Sequence, residues 1–119
     1  MPRYRPIKTE EKNRIEIVSF SEKNINALVA DKIREEINKV ISNSNPRIIV
    51  DLHGVEYIDS TGFGSFLSLM KAAKNSYGVL KFAAPEPAVI ELIDKLNLRS
   101  VFEVFEDIES CIKSFSNNE

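Results

Sequence analysis

Arg47-Ile48-Ile49-Val50-Asp51-Leu52 and, two residues later, Val55-Glu56-Tyr57-Ile58-Asp59-Ser60-Thr61-Gly62-Phe63-Gly64 are the runs on which the fold turns. The first is short, β-branched and apolar on both faces, which suits a central strand covered on both sides. The second passes from a strand-like pattern into helical spacing. Phe63, Phe66, Leu67, Met70 and Ala73 form the apolar stripe of a helix over about 61–76. At the switch, an acidic residue is followed by two hydroxyls. A Ser placed there exposes its Oγ beside the unpaired N–H groups of a helix's first turn. Those groups and the helix dipole favour an anion, so a phosphate on Ser60 is well accommodated.

Upstream, Ala30, Ile33, Ile37, Val40 and Ile41 recur at helical spacing and predict a helix over 27–42, with Asn26 as N-cap. Ser42-Asn43-Ser44-Asn45-Pro46 breaks it. The polar stretch Ser21 to Asn26 reads as a loop. Residues 4–8 and 14–20 pair as an N-terminal hairpin with Glu11-Lys12-Asn13 at its turn, Ile15 and Ile17 sharing one face.

Downstream, Tyr77-Gly78 ends the second helix, Gly78 being suited to a left-handed cap. Val79 to Ala84 reads as a third core strand. Pro87 opens a helix near its N1 position, with Val89, Leu92, Ile93 and Leu96 as the buried face. Val101 to Phe105 is a last short strand. Asp107 caps a C-terminal helix bearing Ile108, Cys111, Ile112 and Phe115, and Ser116-Asn117-Asn118-Glu119 is a frayed tail. The order β-β-α-β-α-β-α-β-α predicts a single α/β domain over 1–119 with its core at about 14–115. The expected architecture is a mostly parallel sheet of four to five strands, with the N-terminal hairpin and about four helices.

Composition narrows the function. The chain has 119 residues, 43% apolar and 29% charged, which is ordinary globular usage. A net charge of −2 with Lys and Arg spread throughout presents no basic face for nucleic acid. Three basic residues (Arg3, Arg5 and Lys8) fall in the first eight positions and read as a solvated terminus. No signal-peptide core and no membrane-length apolar run is present, so a soluble, cytoplasmic domain is expected. The single cysteine, Cys111, excludes an internal disulfide framework and lies on an apolar helix face, where it reads as a buried thiol.

Catalysis finds no partner set. His53, the only histidine, sits in a loop beside Gly54 and reads as solvated, and no nucleophile-elbow Gly-x-Ser-x-Gly surrounds Ser60. Gly62-Phe63-Gly64 lacks the third glycine of a dinucleotide loop and a Walker lysine. No His, Cys or carboxylate cluster has ligand spacing, so no metal or cofactor is expected. Ser60 itself has two readings, a plain N-cap or a modifiable hydroxyl, and Thr61 reads as N1. Asp59 either orients the Ser60 hydroxyl and meets a partner's basic group, or bonds local backbone as a turn carboxylate. Asp51 is expected to bond neighbouring loop N–H groups. Gly62 and Gly64, each costing about 1 kcal/mol relative to Ala in a helix, indicate close approach by a partner or a neighbouring strand. Ser65 and Ser68 flank them as exposed neighbours.

The run Asp51-Leu52-His53-Gly54-Val55-Glu56-Tyr57-Ile58-Asp59-Ser60-Thr61-Gly62 resembles the STAS domain family, and within it the bacterial anti-sigma factor antagonists. The similarity continues through Phe82-Ala83-Ala84-Pro85-Glu86-Pro87-Ala88-Val89 and Leu96-Asn97-Leu98-Arg99-Ser100-Val101-Phe102-Glu103-Val104-Phe105, and spans about Arg14 to Phe115. It implies a partner switch. The unphosphorylated antagonist binds an anti-sigma factor that is also a serine kinase of the histidine-kinase-like ATPase type. Phosphorylation of the first hydroxyl after the aspartate releases it, and a PP2C-type phosphatase resets the cycle.

Carried over, the phosphoacceptor is Ser60 with Thr61 as second choice, and the docking surface is Asp59, Ser60, Thr61, Gly62 and Gly64. ATP and Mg²⁺ belong to the kinase. Many phosphorylatable members carry a Gly-x-Leu-Asp-like turn before the first helix. Here that region reads Ser21-Glu22-Lys23-Asn24-Ile25-Asn26, with Asn26 near the aspartate's place. The resemblance also allows a phosphorylation-independent scaffold or assembly subunit of a signalling or transport complex. A module that senses a small anion or nucleotide at the helix N-terminus is a third reading. A monomer, or a weak homodimer through the hairpin edge, is expected.

Overall fold

The computed structural model describes residues 4–42 and 45–116. Of the frayed tail expected at 116–119, Ser116 is helical instead, and residues 117–119 lie outside the described residues, as do residues 43 and 44 of the breaker and the basic Arg3. The strands are β1 (Ile7–Lys12), β2 (Ile15–Phe20), β3 (Asn24–Ile25), β4 (Arg47–Asp51), β5 (Tyr57–Ile58), β6 (Val79–Ala83) and β7 (Val104–Phe105). The helices are α1 (Ala27–Ile41), α2 (Ser60–Asn75), α3 (Pro87–Lys95) and α4 (Ile108–Ser116).

Five strands form one sheet in the order β1-β2-β4-β6-β7. β1 and β2 are antiparallel and the remaining neighbours parallel. The expected α/β architecture, with its hairpin and four helices, is what the chain adopts. Alternation along the central strands divides the core between two faces. Ile48, Val50, Leu80 and Phe82 pack with the buried residues of α1, α2 and α3, whereas Ile49 and Ala83 pack with Cys111, Ile112 and Phe115 of α4. Lys81 also points to the α4 side. Its fully buried Nζ donates to Ser114 Oγ at 2.9 Å and lies over the Phe115 ring.

Four local expectations are corrected. The hairpin turn is Asn13-Arg14, not Glu11-Lys12-Asn13. Both residues take left-handed φ (56° and 64°), as a two-residue type I′ turn requires. Residues 9–12 are the exposed, polar part of an edge strand, and polarity alone made them resemble a turn.

At the end of α2 the left-handed residue is Tyr77 (φ 61°), not Gly78. Tyr77 N–H donates to the Lys74 carbonyl and Gly78 N–H to the Ala73 carbonyl, a Schellman motif. Gly78 is needed for a different reason: a Cβ there would overlap Pro46. Leu96 is not on the buried face of α3; it follows the last helical residue and is 52% exposed. The last strand is only Val104–Phe105, because a 3-10 turn at Leu98–Ser100 hands Phe102 to the core against Phe63 and Phe82.

Candidate functional site

A two-stranded ladder outside the main sheet builds the site. β3 pairs in parallel with β5, matching Asn24 to Tyr57 and Ile25 to Ile58. Both isoleucines are buried, and the ladder draws the ends of the two loops together just before α1 and α2 begin. The two helix N-termini consequently meet at Asp59.

Asp59 is the N-cap of α2: its Oδ1 accepts from Gly62 N–H at 2.8 Å. Its Oδ2 accepts from Ala27 N–H, in the first turn of α1, at 3.3 Å. Asn26 caps α1 as expected, its Oδ1 accepting from Leu28 N–H at 3.0 Å. One carboxylate therefore ties both helix starts together, and of the two readings of Asp59 the local-backbone one describes its bonds.

The capping register differs by one residue from expectation. Ser60 is N1, not the N-cap, and Thr61 is N2. Both are exposed. Phe63 N–H is taken by the Asp59 carbonyl and Gly62 N–H by the Asp59 side chain, so the Ser60 and Thr61 N–H groups are the first-turn donors without a protein acceptor among the described residues.

Gly62 and Gly64, read together from sequence, separate here. Gly62 is buried, and a Cβ on it would lie 2.8 Å from the Ile25 carbonyl oxygen and 2.8 Å from Ile58 Cγ2. The close approach is by β3 and β5. Gly64 faces open space, and a Cβ on it would have nothing within 4 Å. Ser68 is exposed beside it, but Ser65 is buried, correcting its placement on the outer face.

His53 does not join Ser60. It is exposed, and its Nδ1 lies 3.1 Å from Glu86 Oε2, while Glu86 also accepts from Gly54 N–H at 2.7 Å. Asp51 accepts from His53 N–H as expected. Among the described residues no group of three His, Cys, Asp or Glu could hold a metal ion.

Residues 6–111 match the STAS domain. The chain belongs to the STAS domain family. Solved structures share its fold at low identity. An anti-sigma-factor antagonist domain protein from Planctomyces limnophilus superposes with a TM-score of 0.84 at 17% identity, over 92% of this chain and 97% of that one. An anti-sigma factor antagonist from Mycobacterium paratuberculosis gives 0.80 at 21%, over 91% of each. The anti-sigma factor antagonist SpoIIAA gives 0.74 at 18% in its unphosphorylated form, over 93% of this chain and 96% of that one. SpoIIAA of Bacillus, a cell fate determinant, gives 0.66 at 17% in its phosphorylated form, over 92% and 98%.

Two surface features of this STAS domain stand outside the residues singled out from sequence. Leu28, in the first turn of α1, is 90% exposed, and Tyr57 on β5 is half exposed. Leu28 falls off the stripe of Ala30, Ile33, Ile37 and Ile41, so helical spacing alone could have marked it as outward. Both flank the Asp59 junction. Among the described residues no helix is long and apolar enough to cross a membrane.

Proposed function

We propose that this STAS domain is an anti-sigma factor antagonist switched by phosphorylation of Ser60. The observation that carries the reading is the exposed Ser60 hydroxyl at N1 of α2, directly after the Asp59 cap. Unmodified, the surface of Asp59, Ser60, Thr61 and Gly64 docks an anti-sigma factor that is also a serine kinase of the histidine-kinase-like ATPase type. Leu28 adds an apolar contact of the kind that docking surfaces use. Gly62 supports the surface from beneath. Thr61 is the second-choice acceptor.

Phosphorylation adds roughly −1.5 to −2 charges and three acceptor oxygens to a small neutral group. The free Ser60 and Thr61 N–H groups accept that change within the domain, whereas a packed partner must desolvate a dianion beside the Asp59 carboxylate. Binding is lost while the fold persists. A PP2C-type phosphatase restores the free hydroxyl, the output is control of transcription, and the domain works in the cytoplasm without catalytic residues or a cofactor of its own. Asn26 removes one negative charge from the junction, leaving Asp59 as the carboxylate that a kinase's basic groups meet.

Site-resolved mass spectrometry of the protein from its native cells tests the switch, with Ser60→Ala as control. A phosphate on Ser60, absent from the variant, is expected, together with partner capture by Ser60→Ala and not by Ser60→Asp. An unmodified Ser60 across growth and stress, with equal capture by both variants, would replace the switch with a phosphorylation-independent scaffold.

A further inference from the structure

The opposite end of α2 borders an incomplete sheet edge. β7 pairs only with Phe82 and Ala83. Phe82 N–H donates to the Glu103 carbonyl and Ala84 N–H to the Phe105 carbonyl, so the backbone N–H and C=O groups of the even-numbered residues point towards β7. The odd-numbered ones face β4, as Val79 N–H shows by donating to the Pro46 carbonyl. Leu80 shares the even-numbered backbone orientation, while its side chain is buried in the core. Its N–H and C=O continue the β7 side of the ladder, where no backbone partner is present among the described residues.

In front of this edge runs a groove of about 530 Å³ between β6, the C-terminal half of α2 and residues 101–103. Leu67, Met70 and Leu80 line its depth, and Val79 and Val101, 38% and 43% exposed, form its apolar rim. Lys71 and Lys74 stand on the α2 wall. Neither has a carboxylate within 4.0 Å among the described residues, whereas Glu103 on the facing wall is held by Lys81 at 3.6 Å. The free charge of the groove is positive.

We propose that this groove binds an extended segment of a partner protein, bearing apolar and acidic residues on its α2-facing side, as a short added strand beside β6. The Leu80 N–H and C=O supply the backbone pairing that defines strand addition. Every second side chain of such a strand faces α2, where it meets Leu67 and Met70 along one stretch and Lys71 and Lys74 along another, so apolar residues and carboxylates fall on the same face. Lys71 and Lys74 lie 11 and 14 residues along α2 from Ser60, about 16 and 21 Å at the helical rise. The groove is thus separate from the phosphoacceptor, and the proposal does not rest on the switch.

The test begins with the free chain. Amide exchange followed by NMR is expected to be fast at Leu80 and slow at Phe82. A displayed random-heptapeptide library is then selected on the full chain, and the enriched peptides are synthesised and titrated. Peptides that combine apolar residues with Asp or Glu are expected, slowing Leu80 exchange at least tenfold. Their affinity should fall at least tenfold in the Lys71→Glu/Lys74→Glu variant, both sites being exposed, and stay unchanged in Ser60→Asp. Slow Leu80 exchange in the free chain, no enriched binder, binders without acidic residues, or binding that moves with Ser60→Asp would each overturn the proposal.

Discussion

Asp59 carries more of the site than the serine that follows it. Its two oxygens serve the N–H groups of two different helices, while the Ser60 hydroxyl has no bond to either helix. An N-cap removed to alanine costs about 1 kcal/mol, within a range of roughly 0.5–2, and Asp59→Ala also frees Ala27 N–H. Urea denaturation of Asp59→Ala should show a loss near the top of that range, about 2 kcal/mol. Ser60→Ala, at an exposed N1 position, should stay within about 0.5 kcal/mol. The reverse order would return the cap to Ser60 and undo the register at this helix start. The contrast matters for a switch, because a hydroxyl that bears no structural load is free to be modified.

At the scale of elements, the two glycines of α2 differ: Gly62 is required by the packing beneath it, and Gly64 belongs to the proposed docking surface. Gly62→Ala forces a methyl against Ile25 and Ile58, the buried pair that joins β3 to β5, and overpacking of that kind costs about 1–3 kcal/mol. Gly64→Ala meets nothing and gains up to about 1 kcal/mol of helix propensity. Thermal unfolding should therefore show a fall for the first and a rise for the second, and Gly64→Ala should weaken partner capture despite its added stability.

The long elements are legible in the sequence because the apolar stripes of α1, α2 and α4 repeat often enough to declare a period. β3 and β5 are not, because two residues hold no period, and that ladder is what brings Asn26 and Asp59 together. The one-residue slip at Ser60 has the same origin. Asp, Ser and Thr are all competent caps, and the cap falls to Asp59, the residue directly after β5. Ser65 reads as outward from sequence because α2 is apolar or small over most of its surface, which leaves hydroxyls as a poor guide to the outer face.

Across the whole molecule, a buried acid adds a polar tie between the N-terminal segment and the helical layer. Glu36 on α1 is 5% exposed and lies 3.6 Å from Lys39, 3.7 Å from Lys32 and 4.0 Å from Arg5, which precedes β1. Burial alone would raise its carboxyl pKa, but the attraction of Lys39, Lys32 and Arg5 outweighs it and holds the group below its ordinary 4.5. Asp107 is held low in the same direction by the Ser110 backbone N–H and then its hydroxyl, at the start of α4 on the other face. A carboxyl lowered in the folded chain contributes its full stability above the ordinary value, where both states are ionised. Below that value the unfolded chain takes up protons first, so stability declines until the pH passes the lowered folded value.

Unfolding free energy should accordingly be insensitive to Glu36 ionisation between pH 7 and 5 and fall as pH drops below 4.5. Glu36→Gln should lose stability at pH 7 and show a shallower acid slope, since the uncharged amide has no proton to take up. Asp107, untouched in that variant, should keep the remaining part of the slope. Urea midpoints measured from pH 7 to 3 for the two proteins decide it. Parallel curves would place the acid sensitivity elsewhere and remove Glu36 as the tie between Arg5 and α1.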